Sequence, residues 1–282
     1  MSFAFPTGAW DSHIHCFDPE RHPFKENRAY TPPPATLDKL LQQSQVDRLM
    51  LVQASVENGF TGILSHITRC RQQSPHMTIR GTICNEPGLS QVSEQDFDRL
   101  HEIGIRSIRL HGTYGMDGCD LVSVKETLEE LSQCIGITKH GWTISAQLPL
   151  PTWAALKDFI IHSLILANVT FIADHNLSAT PDDIDSVALD AVVELLKAGK
   201  LYVKVCALYR RSEDISQMKQ IVQMYANAAP RSLLWGSDWP HVSTKKRATV
   251  VDINKELLAL QDWLSEEQWQ QMLVENPETI YT

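Results

Sequence analysis

The residues best suited to chemistry stand far apart in this chain. Near the start, Trp10-Asp11-Ser12-His13-Ile14-His15-Cys16-Phe17-Asp18 places two histidines two positions apart in a run that reads as a strand. Strand side chains alternate between faces, so His13 and His15 project together while Ile14 points away. Two imidazoles on one face could bind a metal, polarise a carbonyl or move protons, although two satisfied structural histidines would look the same. Far downstream, Asp174-His175 and Ser237-Asp238-Trp239-Pro240 add a third imidazole and two carboxylates. The set gains meaning only if one fold gathers all three stretches.

The elements between them supply such a fold. Short β-branched and aliphatic runs alternate with longer helical patterns, the signature of βα units around a parallel sheet. Strands are predicted at 9–15, 48–53, 78–83, 105–110, 142–148, 169–174, 201–206 and 232–237. Helices are predicted at about 37–45 and 61–73, from Ser93 to Gly104, at 124–139, after Pro151, and at 184–198 and 214–228. Ser265 opens a last helix, with Gln268 at the capping-box position. The connection holding Pro19, Pro23 and Pro32-Pro33-Pro34 is long for a βα loop, and long loops in compact domains often carry function. Eight strands, each followed by a helix, predict a single (β/α)8 TIM barrel over residues 1–282, with an open doubly wound sheet as the second choice. No Gly-x-Gly-x-x-Gly follows the first strand, so no dinucleotide site is indicated.

A barrel of this kind presents its catalytic groups at the C-terminal ends of its strands. The polar residues predicted there are His13 and His15 from strand one, Gln53 from strand two, and Arg109 and His111 from strand four. Strand five contributes Gln147, strand six Asp174 and His175, strand seven leads to Tyr209, Arg210 and Arg211, and strand eight ends on Asp238 and His241. Three histidines and a carboxylate converging on one face are hard to explain as packing.

Composition narrows the partners. Charged residues are 21% and hydrophobic residues 43%, as in ordinary soluble chains, and the net charge of −9 argues against a nucleic-acid or membrane surface. Six scattered cysteines (Cys16, Cys70, Cys84, Cys119, Cys134, Cys206) form no Cys-x-x-Cys pair. No basic, then apolar, leader is visible and no apolar run approaches the roughly 18 residues of a membrane span, so a cytoplasmic location is expected. The expected partner is a small-molecule substrate, with homo-oligomerisation left open.

A resemblance covers nearly the whole chain. Asp11-Ser12-His13-Ile14-His15, Tyr30-Thr31-Pro32, Val52-Gln53-Ala54, Gly104-Ile105-Arg106-Ser107-Ile108-Arg109 and Ala173-Asp174-His175 carry its first part. Val203-Lys204-Val205 with Tyr209-Arg210, Leu234-Trp235-Gly236-Ser237-Asp238-Trp239-Pro240-His241 and Glu275-Asn276-Pro277 carry the rest. The text resembles the amidohydrolase superfamily, its amidohydrolase-2 branch, and within it the 2-pyrone-4,6-dicarboxylate lactonases; the strand-eight run is the most specific piece. The resemblance implies a hydrolase that opens a lactone or related cyclic ester by water attack. Asp238 would be the general base, His13, His15 and His175 would polarise the carbonyl, and Arg109 and Arg210 would bind substrate carboxylates. Gln53, Gln147, His111, Tyr209 and His241 complete the expected substrate-binding set.

The chain also departs from that family. Gly115 and Ser178 stand where the lactonases have further arginines, and Gln147 replaces a tyrosine, so a less anionic substrate is expected. Metal-binding relatives usually carry a strand-five histidine or carbamylated lysine. Gln147 is a poor substitute, so no required metal is expected; a bound divalent ion such as zinc or manganese would fall to His13, His15, His175 and Asp238. Two alternatives are a metal-dependent non-oxidative decarboxylase of an aromatic or unsaturated acid, and a non-catalytic barrel that binds a small metabolite.

Overall fold

The computed structural model describes residues 4–110, 120–242 and 251–282. His111 and the rest of the strand-four loop through Gly115, together with Lys245-Lys246-Arg247, lie outside the described residues. Eight parallel strands follow one another around a single sheet: β1 (Trp10–Ile14), β2 (Arg48–Val52), β3 (Thr78–Cys84), β4 (Ile105–Leu110), β5 (Thr143–Ala146), β6 (Phe171–Ala173), β7 (Leu201–Cys206) and β8 (Leu233–Gly236). The sheet closes where Asp238 N donates to His13 O at 2.9 Å and His15 N donates to Trp239 O at 2.9 Å. This is the predicted (β/α)8 barrel.

The helices are α1 (Leu37–Gln43), α2 (Thr61–Gln73), α3 (Glu94–Ile103), α4 (Leu121–Ser132), α5 (Ile135–Thr138) and α6 (Leu150–His162). They continue with α7 (Val187–Lys197), α8 (Lys219–Ala228), α9 (Ile253–Trp263), α10 (Glu266–Gln270) and α11 (Asn276–Tyr281). Their apolar stripes bury Leu128, Trp153, Leu156, Leu195, Ile221 and Leu257 against the outside of the sheet. Each such side chain contributes about 1.5–3 kcal/mol on leaving water. Inside the barrel, Trp10, Met50, Val52, Ile172 and Leu234 form a separate cluster, plugged by Tyr281 from α11. That apolar floor leaves the opposite, C-terminal end of the strands for polar groups.

Local chemistry sets most boundaries. Ser93 Oγ accepts from Asp96 N at 3.2 Å, and Gly104 ends α3 in the left-handed region at φ 119°. The Ser265–Gln268 capping box forms as predicted. Three elements differ from the sequence pattern. The helix predicted over 124–139 is divided into α4 and α5, which lets Gly136 lie on the Trp142 ring; a Cβ there would come within 2.3 Å of the indole. A 3₁₀ turn, Ile215–Met218, precedes α8. The sequence pattern did not reveal α9, whose cap is Asp252 accepting from the amides of Asn254 and Lys255. Among the described residues no helix is long and apolar enough to cross a membrane.

Candidate active site

His13 and His15 reach one site, but not by simple alternation. Trp10 packs in the barrel floor and His13, three residues on, also faces the interior beside Lys204. The register of β1 against β2 slips between Asp11 and Ile14, and this irregularity turns His13 inward while Ile14 joins the outer core. Gly236 makes the slip possible: a Cβ on it would sit 2.5 Å from His13 Cβ. The buried Asp11 carboxylate then fastens the two strand ends together, accepting from Ser237 N at 2.9 Å and His13 N at 3.2 Å. Burial pushes Asp11 up to about 6 despite those amides.

Four donors converge at this end of the barrel. Asp238 Oδ1 lies 3.9 Å from His13 Nε2, 3.8 Å from His15 Nε2 and 3.9 Å from His175 Nε2. Burial, and then the neighbouring charges, hold all three imidazoles below their ordinary value, His15 and His175 well below it. The rings are therefore neutral at pH 7. His15 Nδ1 lies 2.7 Å from Val52 O, so that nitrogen carries the proton and Nε2 turns a lone pair toward Asp238. Polarising a carbonyl needs an N–H, which a neutral His15 in this tautomer does not present there.

Beneath the donors lies a buried charge network. Asp174 accepts from Arg109 Nε at 3.1 Å, stands 3.1 Å from Lys204 Nζ and 3.5 Å from His13 Nδ1, and is fully buried. Burial raises its carboxyl, but Lys204, His13 and Arg109 outweigh that and hold it well below the usual carboxylate range. Lys204, a charge in the apolar run of β7, was a signal open to sequence inspection. Its partner was not, since Asp174 comes from another strand.

The other predicted residues divide. Arg109, Gln147, Arg210, His15, His175 and Asp238 line a cleft of about 410 Å³, joined by Tyr30 and Arg211. Arg109 also donates to Gln147 Oε1 at 3.4 Å. Arg210 pairs with Asp238 Oδ2 and donates to Val242 O at 2.8 Å, while Tyr209 Oη donates to the same Oδ2 at 3.3 Å. Gln53 is spent on the scaffold: its amide donates to Gly59 O and accepts from Cys84 N, both at 2.8 Å. His241 stands edge-on to Tyr209 and lines a separate cavity of about 80 Å³ with Asp11 and Trp239. His175 Nδ1 has Cys206 Sγ at 3.4 Å, a neighbour with no signature in the sequence.

Backbone strain gathers around the site. All seven non-glycine residues with positive φ among the described residues follow β6, β7 or β8: His175 to Ser178, Ala207, Asp238 and His241. Each such residue costs about 1–3 kcal/mol, so the surrounding contacts must hold it. Glu256 of α9 is one such contact, accepting from Leu208 N at 2.9 Å beside Ala207 and so fixing the turn that presents Tyr209 and Arg210. Burial pushes Glu256 up to about 8, against the pull of that amide. A raised carboxyl favours the fold fully below its unfolded value near 4.3 and loses that contribution as pH rises through 8. Glu256→Gln should therefore gain melting temperature relative to wild type between pH 5 and pH 8. A difference that stays constant with pH would show that Glu256 does not titrate in this way.

The convergent donors suit a cation. His13, His175 and Asp238 each offer an atom within 4.8 Å of the others, His13 Nε2 is buried without a hydrogen-bond partner, and His15 adds an inward lone pair. Two imidazole nitrogens and a carboxylate oxygen form a donor set that zinc accepts without any ligand from β5, with His15 Nε2 3.8 Å from the same carboxylate oxygen.

The chain is 24% identical over 297 residues to a 4-sulfomuconolactone hydrolase of Hydrogenophaga intermedia, covering 100% of this chain and 91% of that one. It is 23% identical over 302 residues to a 2-pyrone-4,6-dicarboxylate hydrolase of Comamonas testosteroni, covering 99% and 92%. A protein of Agrobacterium tumefaciens, solved in its apo form, shares the fold with a TM-score of 0.79 at 19% identity, covering 99% and 97%. The amidohydrolase family model matches residues 10–282, from the first residue of β1 to the C-terminus, and the chain belongs to that family of enzymes.

Proposed function

We propose that this enzyme hydrolyses a lactone by attack of water on the ring carbonyl. The observation that carries the proposal is the convergence of three neutral imidazoles on Asp238 Oδ1 at one end of an open cleft. Relatives named for the hydrolysis of cyclic esters support the substrate class. Asp238 accepts a proton from water as the water oxygen bonds to the carbonyl carbon. The carbonyl oxygen gains charge, which must be stabilised at the end of the cleft where His13, His15 and His175 converge. The ring C–O bond then breaks, and the proton held by Asp238 passes to the departing alkoxide, leaving a hydroxy acid.

His13, His15, His175 and Asp238 would hold a divalent ion such as zinc or manganese, and when bound the ion supplies Lewis-acid polarisation. We infer that the ion is used, because His15 presents a lone pair where the metal-free scheme needs a donor. Elemental analysis, followed by assays on a panel of five- and six-membered lactones and aromatic acids before and after chelation, tests both statements. The expected result is lactone turnover that chelation removes and zinc or manganese restores, with a rise in melting temperature on adding back the metal. Full activity in metal-free protein would return the site to the metal-independent scheme expected from Gln147. Release of CO2 from an acid, with no lactone opened, would overturn the proposal.

A further inference from the structure

The three imidazoles are oriented alike. Each turns Nε2 toward Asp238 Oδ1 and Nδ1 toward the scaffold behind it. The scaffold partners differ in kind. His15 Nδ1 meets the carbonyl of Val52, His13 Nδ1 meets Asp174 and Lys204, and His175 Nδ1 meets the thiol of Cys206 at 3.4 Å. Cys206 is the last residue of β7 and is fully buried. Among the described residues its sulfur is the one group within hydrogen-bond distance of the His175 ring.

The backbone on both sides is pinned around this pair. Asn176 Nδ2 donates to Cys206 O at 2.9 Å, tying the turn after β6 to the end of β7. His175 and Ala207, which follow those two strands, both hold positive φ, at 51° and 54°. The His13 ring packs against the His175 ring, with centroids 4.6 Å apart.

Where the His175 ring carries its proton decides what it can do. Asp238 Oδ1, at 3.9 Å, is beyond hydrogen-bond reach of Nε2, whereas a proton on Nδ1 points at sulfur. Thiol sulfur is a weak acceptor, yet it is the acceptor this ring has. An imidazole that ligates a metal gives its other ring N–H to an outer partner, and that partner fixes both tautomer and orientation.

We propose that Cys206 is a positioning residue: its Sγ accepts from His175 Nδ1–H, so that the Nε2 lone pair faces Asp238 and the ring can hold a divalent ion. The inference rests on the metal-assisted reading and adds a residue which that reading does not use. Cys206 acts only through the ring.

The test uses metal-free protein first and zinc alone second. Long-range nitrogen–proton NMR correlation on protein carrying labelled histidine shows which nitrogen of each ring is protonated, and His175→Asn assigns the His175 signals by their loss. Wild type should show His175 protonated on Nδ1, as should Cys206→Ser, whose hydroxyl still accepts. Cys206→Ala should move the ring toward the Nε2–H tautomer that free imidazole favours. Zinc affinity, read by competition with a chromogenic chelator, should fall about 10–100-fold in Cys206→Ala and stay within a few-fold of wild type in Cys206→Ser. A wild-type His175 protonated on Nε2, with the thiol donating to Nδ1, overturns the proposal. So does a Cys206→Ala protein whose tautomer and zinc affinity match wild type. Should Cys206→Ala not fold, the wild-type spectrum still decides. If wild type takes up no zinc, the metal-assisted reading falls, and Cys206 keeps its role only if the His175 Nδ1 proton is present in wild type and lost in Cys206→Ala.

Discussion

Asp238→Asn should lower kcat by about 10²–10⁴-fold, the range a positioned proton acceptor contributes, with the fold intact. Asparagine keeps the planar shape and an oxygen that can still accept from Tyr209 Oη. It cannot take a proton from water, and it removes the charge that Arg210 faces. The replaced side chain sits where β8 meets β1, and the closing contact there runs through the Asp238 backbone N–H to His13 O, which the substitution leaves in place. Melting temperature and far-UV dichroism should therefore stay close to wild type. Turnover within a few-fold of wild type on the preferred lactone would remove Asp238 from the role of base.

Asp174→Ala should be the most destabilising single change near the site. It strands Lys204 at 1% exposure and Arg109 at 4% without their shared carboxylate. Breaking a buried ion pair from one side costs about 3–5 kcal/mol. At about 2–4 °C per kcal/mol for chains of this order, melting should fall by roughly 10 °C. The exposed cluster of Lys139 with Glu94 and Asp98 gives the contrast, since solvent-screened pairs contribute about 0–1 kcal/mol and Lys139→Ala should barely move the transition. Removing the stranded ammonium as well, in Asp174→Ala with Lys204→Met, should recover part of the loss. The pH dependence has a definite sign. Asp174 is held well below its ordinary value, so its contribution is present above about pH 4 and is lost only as acid titrates the folded carboxyl. A melting temperature for Asp174→Ala within 2 °C of wild type would show that the network adds no stability.

The sequence alone determined the barrel and the identity of the donor stretches. Strand and helix periods, the Ser93 and Ser265 caps and the Gly104 stop act over a few residues, so they are legible without the fold. Given a (β/α)8 order, the C-terminal strand ends follow, and with them His13, His15, Asp174, His175 and Asp238. Tertiary structure decided how these residues are used. The slip in β1 that turns His13 inward depends on the close approach of Gly236 from β8, more than 200 residues away. The proton on His15 Nδ1 is set by Val52 O across the neighbouring strand, which fixes where the ring turns its lone pair. Gln53 looked like a site residue and is consumed by Gly59 and Cys84. Of the adjacent Arg210 and Arg211, a left-handed Ala207 and the 3₁₀ turn that follows decide which one meets Asp238. Propensity and periodicity are local free energies, whereas partners, tautomers and uncompensated charges are properties of groups that only closure of the barrel brings into contact.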